Sequence, residues 1–245
     1  MTVDKIWIPA DWPAPSGVVA GTTLRHGGVS SGSFDSLNLG AYVDDDADAV
    51  CENRIRFRSL CDLPSEPRWL RQVHGSHVVV DPPSGETPEA DAAITRHVGV
   101  VCVVQTADCL PVIFAAIDGT ELAVAHAGWR GLANGVLEST VSAMSTDPAN
   151  LLAWLGPAIS QPAFEVGGEV REAFLAHDPA AAGCFAANDR GRWQADIYGL
   201  ARMRLGVAGV EQISGGENCT FGEPERFFSH RRDGACGRMA SFVFR

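Results

Sequence analysis

The sequence predicts a fold of mixed class, in which short buried strands and amphipathic helices share one chain. Short apolar runs that stop at turn-forming residues are typical of buried β-strands. Apolar residues at helical spacing, as in 131–144, indicate helices between them. No internal repeat and no linker divides the 245 residues. We therefore expect a single domain over residues 1–245.

Composition narrows the classes of function. Hydrophobic residues make up 46% of the chain, which is enough to form a core and disfavours disorder. A net charge of −11 with 19 basic residues disfavours nucleic acid as a partner. No apolar run reaches the roughly 18 residues of a bilayer span, and the N-terminus lacks a signal sequence, so we expect a cytoplasmic protein without a membrane partner.

Cysteine usage points away from structural disulfides. The seven cysteines are odd in number and include no CxxC pair, which argues against a disulfide scaffold and a zinc ribbon. Cys102 lies inside a predicted buried strand and is assigned to packing. Cys51 and Cys61 lie on or near a predicted helix and are assigned no chemistry.

The N-terminal elements follow in order. A strand is predicted over 17–23, and a Gly- and Ser-rich loop follows it. A helix is predicted over 44–61, where aspartates precede arginines in agreement with the helix dipole. A strand over 69–73 is interrupted at His74–Gly75 and continues over 77–80. His77 is assigned a structural role, because an HxxH pair on a strand does not place both side chains on one face.

The central stretch, residues 100–126, is predicted as a series of strands separated by short breaks. Apolar runs over 100–105 and 111–116 are separated by a break that contains Cys109. Asp118–Gly119 is a turn signal, and a third strand over 121–125 leads to His126. The remaining elements are predicted as a helix over 131–144, a strand over 151–159, helices over 166–177 and 197–205, and closing strands over 212–221 and 226–245.

His74, Cys109 and His126 share one setting, since each ends or interrupts an apolar strand next to small or turn-forming residues. Their separations of 35 and 17 residues fit a site assembled from several strands rather than a zinc finger. Two histidines and one thiolate are a ligand set for catalytic zinc, whose open position activates water. On spacing alone, ordinary packing of a buried cysteine and core histidines remains equally open.

Arginines in Gly-rich turns give a second indication of function, the binding of an anion. Arg25, Arg130, Arg231 and Arg232 have this setting, and arginine recognises phosphate or carboxylate through paired donors. The Gly128–Gly131 turn, which leads into a helix, is a further anion site. Surface salt bridging is the alternative, and it is preferred for Arg232 beside Asp233.

Several segments together resemble a known family. They are T-x-L-R-H-G-G-V-S and S-L-N-L-G within 22–40, Q-V-H-G (72–75), A-D-A (90–92), Q-T-A-D-C-L-P (105–111), A-H-A-G-W-R-G (125–131), L-G-P-A-I (155–159) and F-F-S-H-R-R-D-G with G-R-M (227–239). On these motifs the chain resembles the YfiH/DUF152 family, also called the multicopper polyphenol oxidase or laccase-domain family and, in bacteria, peptidoglycan editing factor. The likeness spans nearly the whole chain.

The resemblance implies an α+β domain with mixed sheets flanked by helices, similar to the catalytic domain of cytotoxic necrotizing factor. It implies a zinc site of His74, Cys109 and His126, with copper as a substitute, that also carries catalysis. It implies phosphorolysis of adenosine, inosine and methylthioadenosine, and deamination of adenosine. Arg25, Asn38 and Gln72 are implied contacts of nucleoside or phosphate, and Arg130 joins them from its anion-binding setting. The oligomeric state is left open, with a monomer as the expectation.

Three other functions stay open at this point. Cys109 with His126 as its base would form an amide hydrolase for peptidoglycan precursors. A polyphenol oxidase needs several copper ions, for which seven histidines supply few ligands. A regulatory binding module is the third alternative, but it does not explain why three potential metal ligands stand at strand ends.

Overall fold

The structure, a computed structural model that describes residues 6–245, confirms an α+β fold with mixed sheets and flanking helices. The strands are β1 (Trp7–Pro9), β2 (Val19–Thr23), β3 (Val78–Val80), β4 (Ala92–Thr95), β5 (Cys102–Thr106), β6 (Leu110–Ala116), β7 (Leu122–Ala127), β8 (Leu151–Leu155), β9 (Glu165–Val166), β10 (Phe185–Ala187), β11 (Trp193–Ala195), β12 (Gln212–Gly215) and β13 (Met239–Phe244). The helices are α1 (Ala47–Leu60), α2 (Trp129–Ala133), α3 (Val136–Ala143), α4 (Gly168–Leu175), α5 (Ile197–Val207) and α6 (His230–Asp233).

Two sheets form the centre of the molecule. The larger has the order β12-β8-β6-β7-β4-β3, antiparallel in the middle and parallel in its outermost pairs. The smaller has the order β1-β2-β13-β5 and is antiparallel throughout. Strands β9, β10 and β11 form a separate small sheet in the order β10-β11-β9.

The layers follow from which side chains are buried. Val104 and Val243 of the smaller sheet pack against Ile113 and Val124 of the larger sheet, so the two sheets lie face to face. The opposite face of the larger sheet is covered by α2 to α5 in the largest apolar cluster. The opposite face of the smaller sheet packs against α1 through Phe57, whose ring meets Phe242 edge to face. Burial on both faces explains why the central strands are continuous apolar runs.

The helix predictions are largely confirmed. Helix α1 begins after Asp46, whose carboxylate accepts from the N–H of Ala49 and caps the first turn. The helix predicted over 131–144 is instead two helices, α2 and α3. They are separated because Gly135 has a left-handed backbone with φ of +88°. The prediction over 166–177 becomes β9 followed by α4.

Four strand predictions are wrong in part, and two of them only in length, since the strands predicted over 151–159 and 212–221 end at Leu155 and Gly215. Residues 69–73 form no regular strand. Arg68 and Arg71 make isolated bridges, and the amides of 73–75 bond to a side chain instead of a neighbouring strand. The closing segment 226–245 begins with a loop and α6, and only β13 is extended. Turn-forming His230–Gly234 interrupts the predicted strand.

One crossing of the chain positions the site. Strand β5 belongs to the smaller sheet and β6 to the larger, so the residues between them pass from one sheet to the other. Cys109 lies in this crossing, directly before β6. Among residues 6–245, no helix combines the length and the apolar character that crossing a bilayer requires.

Candidate metal centre and its cavity

His74, Cys109 and His126 come together at this edge of the sheets. One ligand atom of each lies within 4.8 Å of the others, and Cys109 Sγ is 3.9 Å from His74 Nε2. The two imidazole rings meet edge to face with centroids 4.8 Å apart. Exposure rises across the cluster, from buried His126 through half-buried Cys109 to exposed His74. The cluster is therefore open to solvent on one side.

Strand register explains why Cys109 and His126 meet. In the antiparallel β6–β7 pair, Leu110 lies opposite Ala127 and Pro111 opposite His126. Cys109 therefore lies beside Gly128, just past the end of β7. A Cβ atom at Gly128 would lie 3.0 Å from Cys109 Sγ and 3.0 Å from His74 Cδ2, so any larger residue would require these two side chains to shift.

Asp91 ties the two histidines to each other and was not selected from the sequence. It is fully buried, directly before β4, and its Oδ1 lies 2.8 Å from Nδ1 of His126. The same carboxylate accepts the backbone N–H groups of Val73, His74 and Gly75 at 3.2, 3.0 and 2.7 Å. Because a carboxylate only accepts, Nδ1 of His126 donates, and Nε2 is left to face Cys109.

The proton equilibria of the cluster are strongly shifted. Burial disfavours the thiolate of Cys109, but the charge and hydrogen bond of His126, followed by those of His74, outweigh burial and lower its pKa to about 6. Burial disfavours the imidazolium of His126, but Cys109 and Asp91 outweigh it and raise its pKa to about 9. Burial also opposes ionisation of Asp91, yet the hydrogen bond from His126 and the backbone donors hold its pKa below the ordinary value.

Two residues of the site have left-handed backbones. His74 has φ of +61° and Asp108 has φ of +87°, a region that non-glycine residues seldom adopt. Asp108 is held by the hydroxyl of Thr220 at 2.6 Å and the N–H of Arg231 at 2.7 Å. These bonds fix the turn before Cys109 and join it to α6. Strain that is supported from outside in this way is characteristic of functional sites.

The cluster forms part of the wall of a cavity of about 320 Å³, within the usual range for small-molecule sites. Both neutral and cationic side chains line it, and none of the lining residues is a carboxylate. They are Tyr42, Val43, Leu70, Gln72, His74, Gln105, Thr106, Ala107, Cys109, His126, His230 and Arg238.

The four predicted substrate contacts have different placements. Gln72 lines the cavity, but its amide bonds to the backbone O and N–H of Gln105 at 2.8 and 2.7 Å. Asn38 is fully buried and bonds to Gly40, Asp45 and the N–H of Arg238. The guanidinium of Arg25 donates to the carbonyls of residues 35 and 224. Whether these side chains contact a substrate stays a prediction.

Arg130 and the remaining arginines lie outside the lining residues. Arg130 is exposed, with its guanidinium 4.5 Å from the centroid of the Trp129 ring. Arg231 and Arg232 direct their guanidinium groups to backbone carbonyls, and Arg232 also pairs with Asp233. Its pairing with Asp233 confirms the salt bridge preferred from the sequence.

Sequence reasoning missed Asp91, His230 and Arg238 as parts of the site. All three stand in quoted motifs, A-D-A, S-H-R-R and G-R-M. A lone acidic residue at the start of an apolar strand was the available signal for Asp91, since a buried carboxylate needs donors. His230 and Arg238 come from the last 16 residues, and only the closing strand β13 brings them beside β5.

The donor set fits a metal ion. Bonds of about 2.3 Å to sulfur and about 2.1 Å to nitrogen, at tetrahedral angles, would place ligand atoms roughly 3.5 Å apart. The distance of 3.9 Å between Cys109 Sγ and His74 Nε2 is close to this spacing. Asp91 supplies the outer carboxylate that metal-bound histidines usually have. Among residues 6–245, this is the one group of at least three such side chains arranged to hold an ion.

Comparison with protein families gives a match over most of the chain. The model described as multi-copper polyphenol oxidoreductase laccase matches residues 19–245. Among curated relatives, the purine nucleoside phosphorylase YfiH of Escherichia coli strain K12 is 54% identical, with 99% of each chain covered. A purine nucleoside phosphorylase of Pseudomonas aeruginosa is 53% identical, with 97% of this chain and 98% of the relative covered.

Solved structures agree with these matches. A Neisseria meningitidis protein of the DUF152 family has a TM-score of 0.94 at 48% identity, covering 98% of this chain and 99% of its own. YlmD of Geobacillus stearothermophilus has a TM-score of 0.90 at 31% identity, covering 100% of this chain and 98% of its own.

Proposed function

The chain belongs to the multi-copper polyphenol oxidoreductase laccase family, and from this premise we propose that it is a zinc-dependent purine nucleoside phosphorylase that also deaminates adenosine. Relatives at 54% and 53% identity over nearly the full chain bear the name purine nucleoside phosphorylase. The proposed substrates are adenosine, inosine and methylthioadenosine, with phosphate or water as the second reactant. A cytoplasmic location fits these substrates.

The observation that carries the proposal is the three-ligand cluster on the wall of a small cavity. His74, Cys109 and His126 would hold zinc and leave its solvent side open. When bound, zinc would act as a Lewis acid and lower the pKa of a water ligand to about 7. Asp91 keeps His126 in the tautomer that offers Nε2 to the metal.

His230 provides a proton acceptor outside the cluster. Its Nδ1 lies 2.7 Å from the carbonyl oxygen of Gly234, which only accepts, so Nδ1 carries the proton. Nε2 of the neutral ring then has a free lone pair, and the residue lines the cavity. We assign His230 Nε2 to take the proton from the attacking water in deamination and to return it to the departing ammonia.

The two reactions differ in the bond that breaks. In phosphorolysis, a phosphate oxygen bonds to C1′ of the ribose as the bond from C1′ to N9 breaks. N9 keeps the electron pair, the proton of the hydrogen phosphate passes through His230 to the base, and ribose 1-phosphate is released. In deamination, a water oxygen replaces the 6-amino group of adenosine and ammonia leaves. Both reactions need an oxygen nucleophile and one proton carrier, so one cavity with His230 on its wall can serve both.

One alternative is favoured by a specific observation. Cys109, His126 and Asp91 are arranged as a nucleophile, a base and an orienting carboxylate, and the pKa of Cys109 is lowered to about 6. This arrangement supports an amide hydrolase that acts on peptidoglycan precursors. In that case zinc would block the nucleophile and inhibit turnover instead of promoting it.

A multicopper oxidase is a poorer fit to the site. The single three-ligand cluster found among residues 6–245 would hold one ion, whereas a laccase needs a further copper cluster with more histidines. Copper in place of zinc in this one site fits the same nitrogen and sulfur ligands.

The test is a product analysis with matched cysteine variants. Adenosine and inosine are incubated with and without inorganic phosphate, and bases, inosine and ribose 1-phosphate are separated by chromatography. We expect adenine and hypoxanthine only with phosphate, and inosine from adenosine without it. Cys109→Ala should lose all products, whereas Cys51→Ala, at an exposed position on α1, should retain them. Full product formation by Cys109→Ala would contradict the proposal.

A further inference from the structure

We propose that Arg238 forms the phosphate-binding part of this cavity, a role that rests on the phosphorolysis proposed above. The ligand is an inorganic phosphate dianion, held next to the metal cluster. Arg238 directly precedes β13, in which Met239 lies opposite Thr106 at the end of β5. The chain runs on from Thr106 through Ala107 to Cys109, so Arg238 lies at the same edge of the sheets as the cluster.

The charge of the cavity is opposite to that of the protein. The whole chain carries a net charge of −11, with 30 acidic residues. The lining residues nevertheless include one arginine and three histidines, and no aspartate or glutamate. An anion that enters meets no carboxylate on the wall, and a bound metal cation would offset the charge of the Cys109 thiolate and add to the attraction. The lining therefore favours an anionic ligand although the chain as a whole is acidic.

The guanidinium of Arg238 is held in place and keeps one edge available. Its Nη1 donates to the carbonyls of Cys236 and Gly237 at 2.7 and 3.0 Å, which uses both hydrogens of that nitrogen. Within residues 6–245, Nε and Nη2 have no hydrogen-bond partner. Neither nitrogen is fully buried. Three N–H donors of this fixed group are therefore unpaired and at least partly accessible to solvent. The Nε–Nη2 edge is suited to bidentate binding of phosphate oxygens.

The neighbouring residues hold the backbone of Arg238 as well. The amide oxygen of buried Asn38 accepts the N–H of Arg238 at 2.9 Å and the N–H of Gly40 at 2.9 Å. A Cβ atom at Gly40 would lie 2.8 Å from Cγ of Arg238, so glycine allows the aliphatic part to pass. Asn38 and Gly40, both within the quoted S-L-N-L-G motif, thus act as positioning residues for Arg238.

The other arginines near this edge are committed elsewhere. Arg25 uses Nε, Nη1 and Nη2 on backbone carbonyls, and its guanidinium lies over the ring of Phe228. Arg232 uses Nη1 and Nη2 on carbonyls and pairs with Asp233. Arg238 is the one arginine among the residues that line the cavity.

A phosphate dianion could enter as inorganic phosphate or as the 5′-phosphate of a nucleotide. The size of the cavity favours the first, because about 320 Å³ is near the lower limit for small-molecule sites and already has to admit a nucleoside. The experiment therefore includes adenosine 5′-monophosphate as a separate arm.

The test compares two reactions in the same variants. Phosphorolysis of inosine is measured against phosphate concentration, and deamination of adenosine is measured without phosphate. In Arg238→Gln we expect the KM for phosphate to rise at least about tenfold, the effect of losing charged hydrogen bonds. Deamination should stay within about twofold of the parent. Arg238→Lys, which keeps the charge but not the fork, should give an intermediate KM. Arg58→Gln, at an exposed position on α1, is the control and should match the parent.

Direct binding separates this inference from the proposed function. Inorganic phosphate is titrated calorimetrically into the zinc-loaded parent, Arg238→Lys and Arg238→Gln, with circular dichroism to verify folding. Loss of the binding heat in Arg238→Gln supports the inference. This holds even if the parent shows no phosphorolysis, a result that would overturn only the proposed reaction. Binding that survives in folded Arg238→Lys and Arg238→Gln would overturn the inference and place the anion elsewhere. Arg238-dependent binding of adenosine 5′-monophosphate without binding of inorganic phosphate would overturn it in favour of a nucleotide.

Discussion

Replacing Asp91 by asparagine tests how the buried carboxylate organises the site. Each carboxylate oxygen accepts two hydrogen bonds, with His126 and the N–H of His74 on Oδ1 and the N–H groups of Val73 and Gly75 on Oδ2. An amide keeps one acceptor oxygen and turns an NH₂ group toward the other two donors. Asp91→Asn therefore loses two of the four bonds in either orientation, along with the charge that faces His126.

The magnitude follows from those bonds. Hydrogen bonds to a charged group contribute about 1.5–3 kcal/mol each, so losing two costs at least about 3 kcal/mol in free energy of unfolding. In a chain of this size that corresponds to a fall in Tm of roughly 6–12 °C. Zinc affinity should fall about 10–100-fold, as for other outer-shell carboxylates. Asp46→Asn is the matched control, because asparagine caps a helix as well as aspartate does.

The pH dependence has a defined sign. The pKa of Asp91 is below its ordinary value in the folded protein, so its stabilisation is present above about pH 4 and is lost as pH falls through the folded pKa. In metal-free protein the pKa of His126 is raised to about 9, and its contribution is present below about pH 6.5 and is lost as pH rises through 9. The gap in stability between parent and Asp91→Asn should be widest from pH 5 to 6.5.

The assays are thermal unfolding across pH and competition for zinc with a chromophoric chelator. Asp91→Asn protein that melts within about 1 °C of the parent and binds zinc equally well would refute the reasoning. It would mean that the backbone amides and His126 find equivalent partners without the carboxylate.

Two further predictions concern the cluster, and a third concerns a buried hydroxyl on α5. In metal-stripped protein, alkylation of Cys109 by iodoacetamide should slow as pH falls through about 6 and should stop when zinc is added. Mass spectrometry follows the alkylation rate, and a midpoint of its pH dependence above pH 8 would contradict the lowered pKa. Gly128→Ala should weaken zinc binding without removing a ligand, because its Cβ would lie 3.0 Å from Cys109 Sγ; unchanged affinity in the chelator assay would show that the cluster has room to shift. Tyr198→Phe should lower the free energy of unfolding in urea by about 1–3 kcal/mol, because the buried hydroxyl of Tyr198 accepts the N–H of Ala158 at 2.7 Å. An unchanged urea midpoint would show that this hydrogen bond does not stabilise the fold.

The parts of the fold predicted best depend on local signals. Helix α1 follows from acidic residues before arginines, and strands β5 to β7 follow from apolar runs separated by turn residues. Residues 69–73 were misassigned because Trp69, Leu70 and Val73 are typical of strands, although the amides of residues 73–75 bond to a carboxylate. The carboxylate of Asp91 lies 16 to 18 residues further along the chain, and sequence periodicity does not report such a contact.

The site was predictable to the extent that its chemistry is visible in residue type. Two histidines and a cysteine at strand ends identified the cluster, and the structure brings them together. Arg238 and His230 were not selected, because their place in the cavity depends on β13 pairing with β5 across more than 130 residues of chain. Arg25 stood in a more prominent motif, but its donors bond to backbone carbonyls.

The most direct test of the account is the dependence of turnover on zinc in one preparation. Untagged protein is stripped with a chelator and titrated with zinc, while metal content, inosine phosphorolysis and adenosine deamination are followed together. We expect both activities to be absent without metal and to rise in proportion to zinc until about one ion per chain is bound, as three ligands and one open position require. Full turnover by stripped protein, or activity that falls as zinc is added, would contradict the zinc mechanism and make Cys109 the nucleophile.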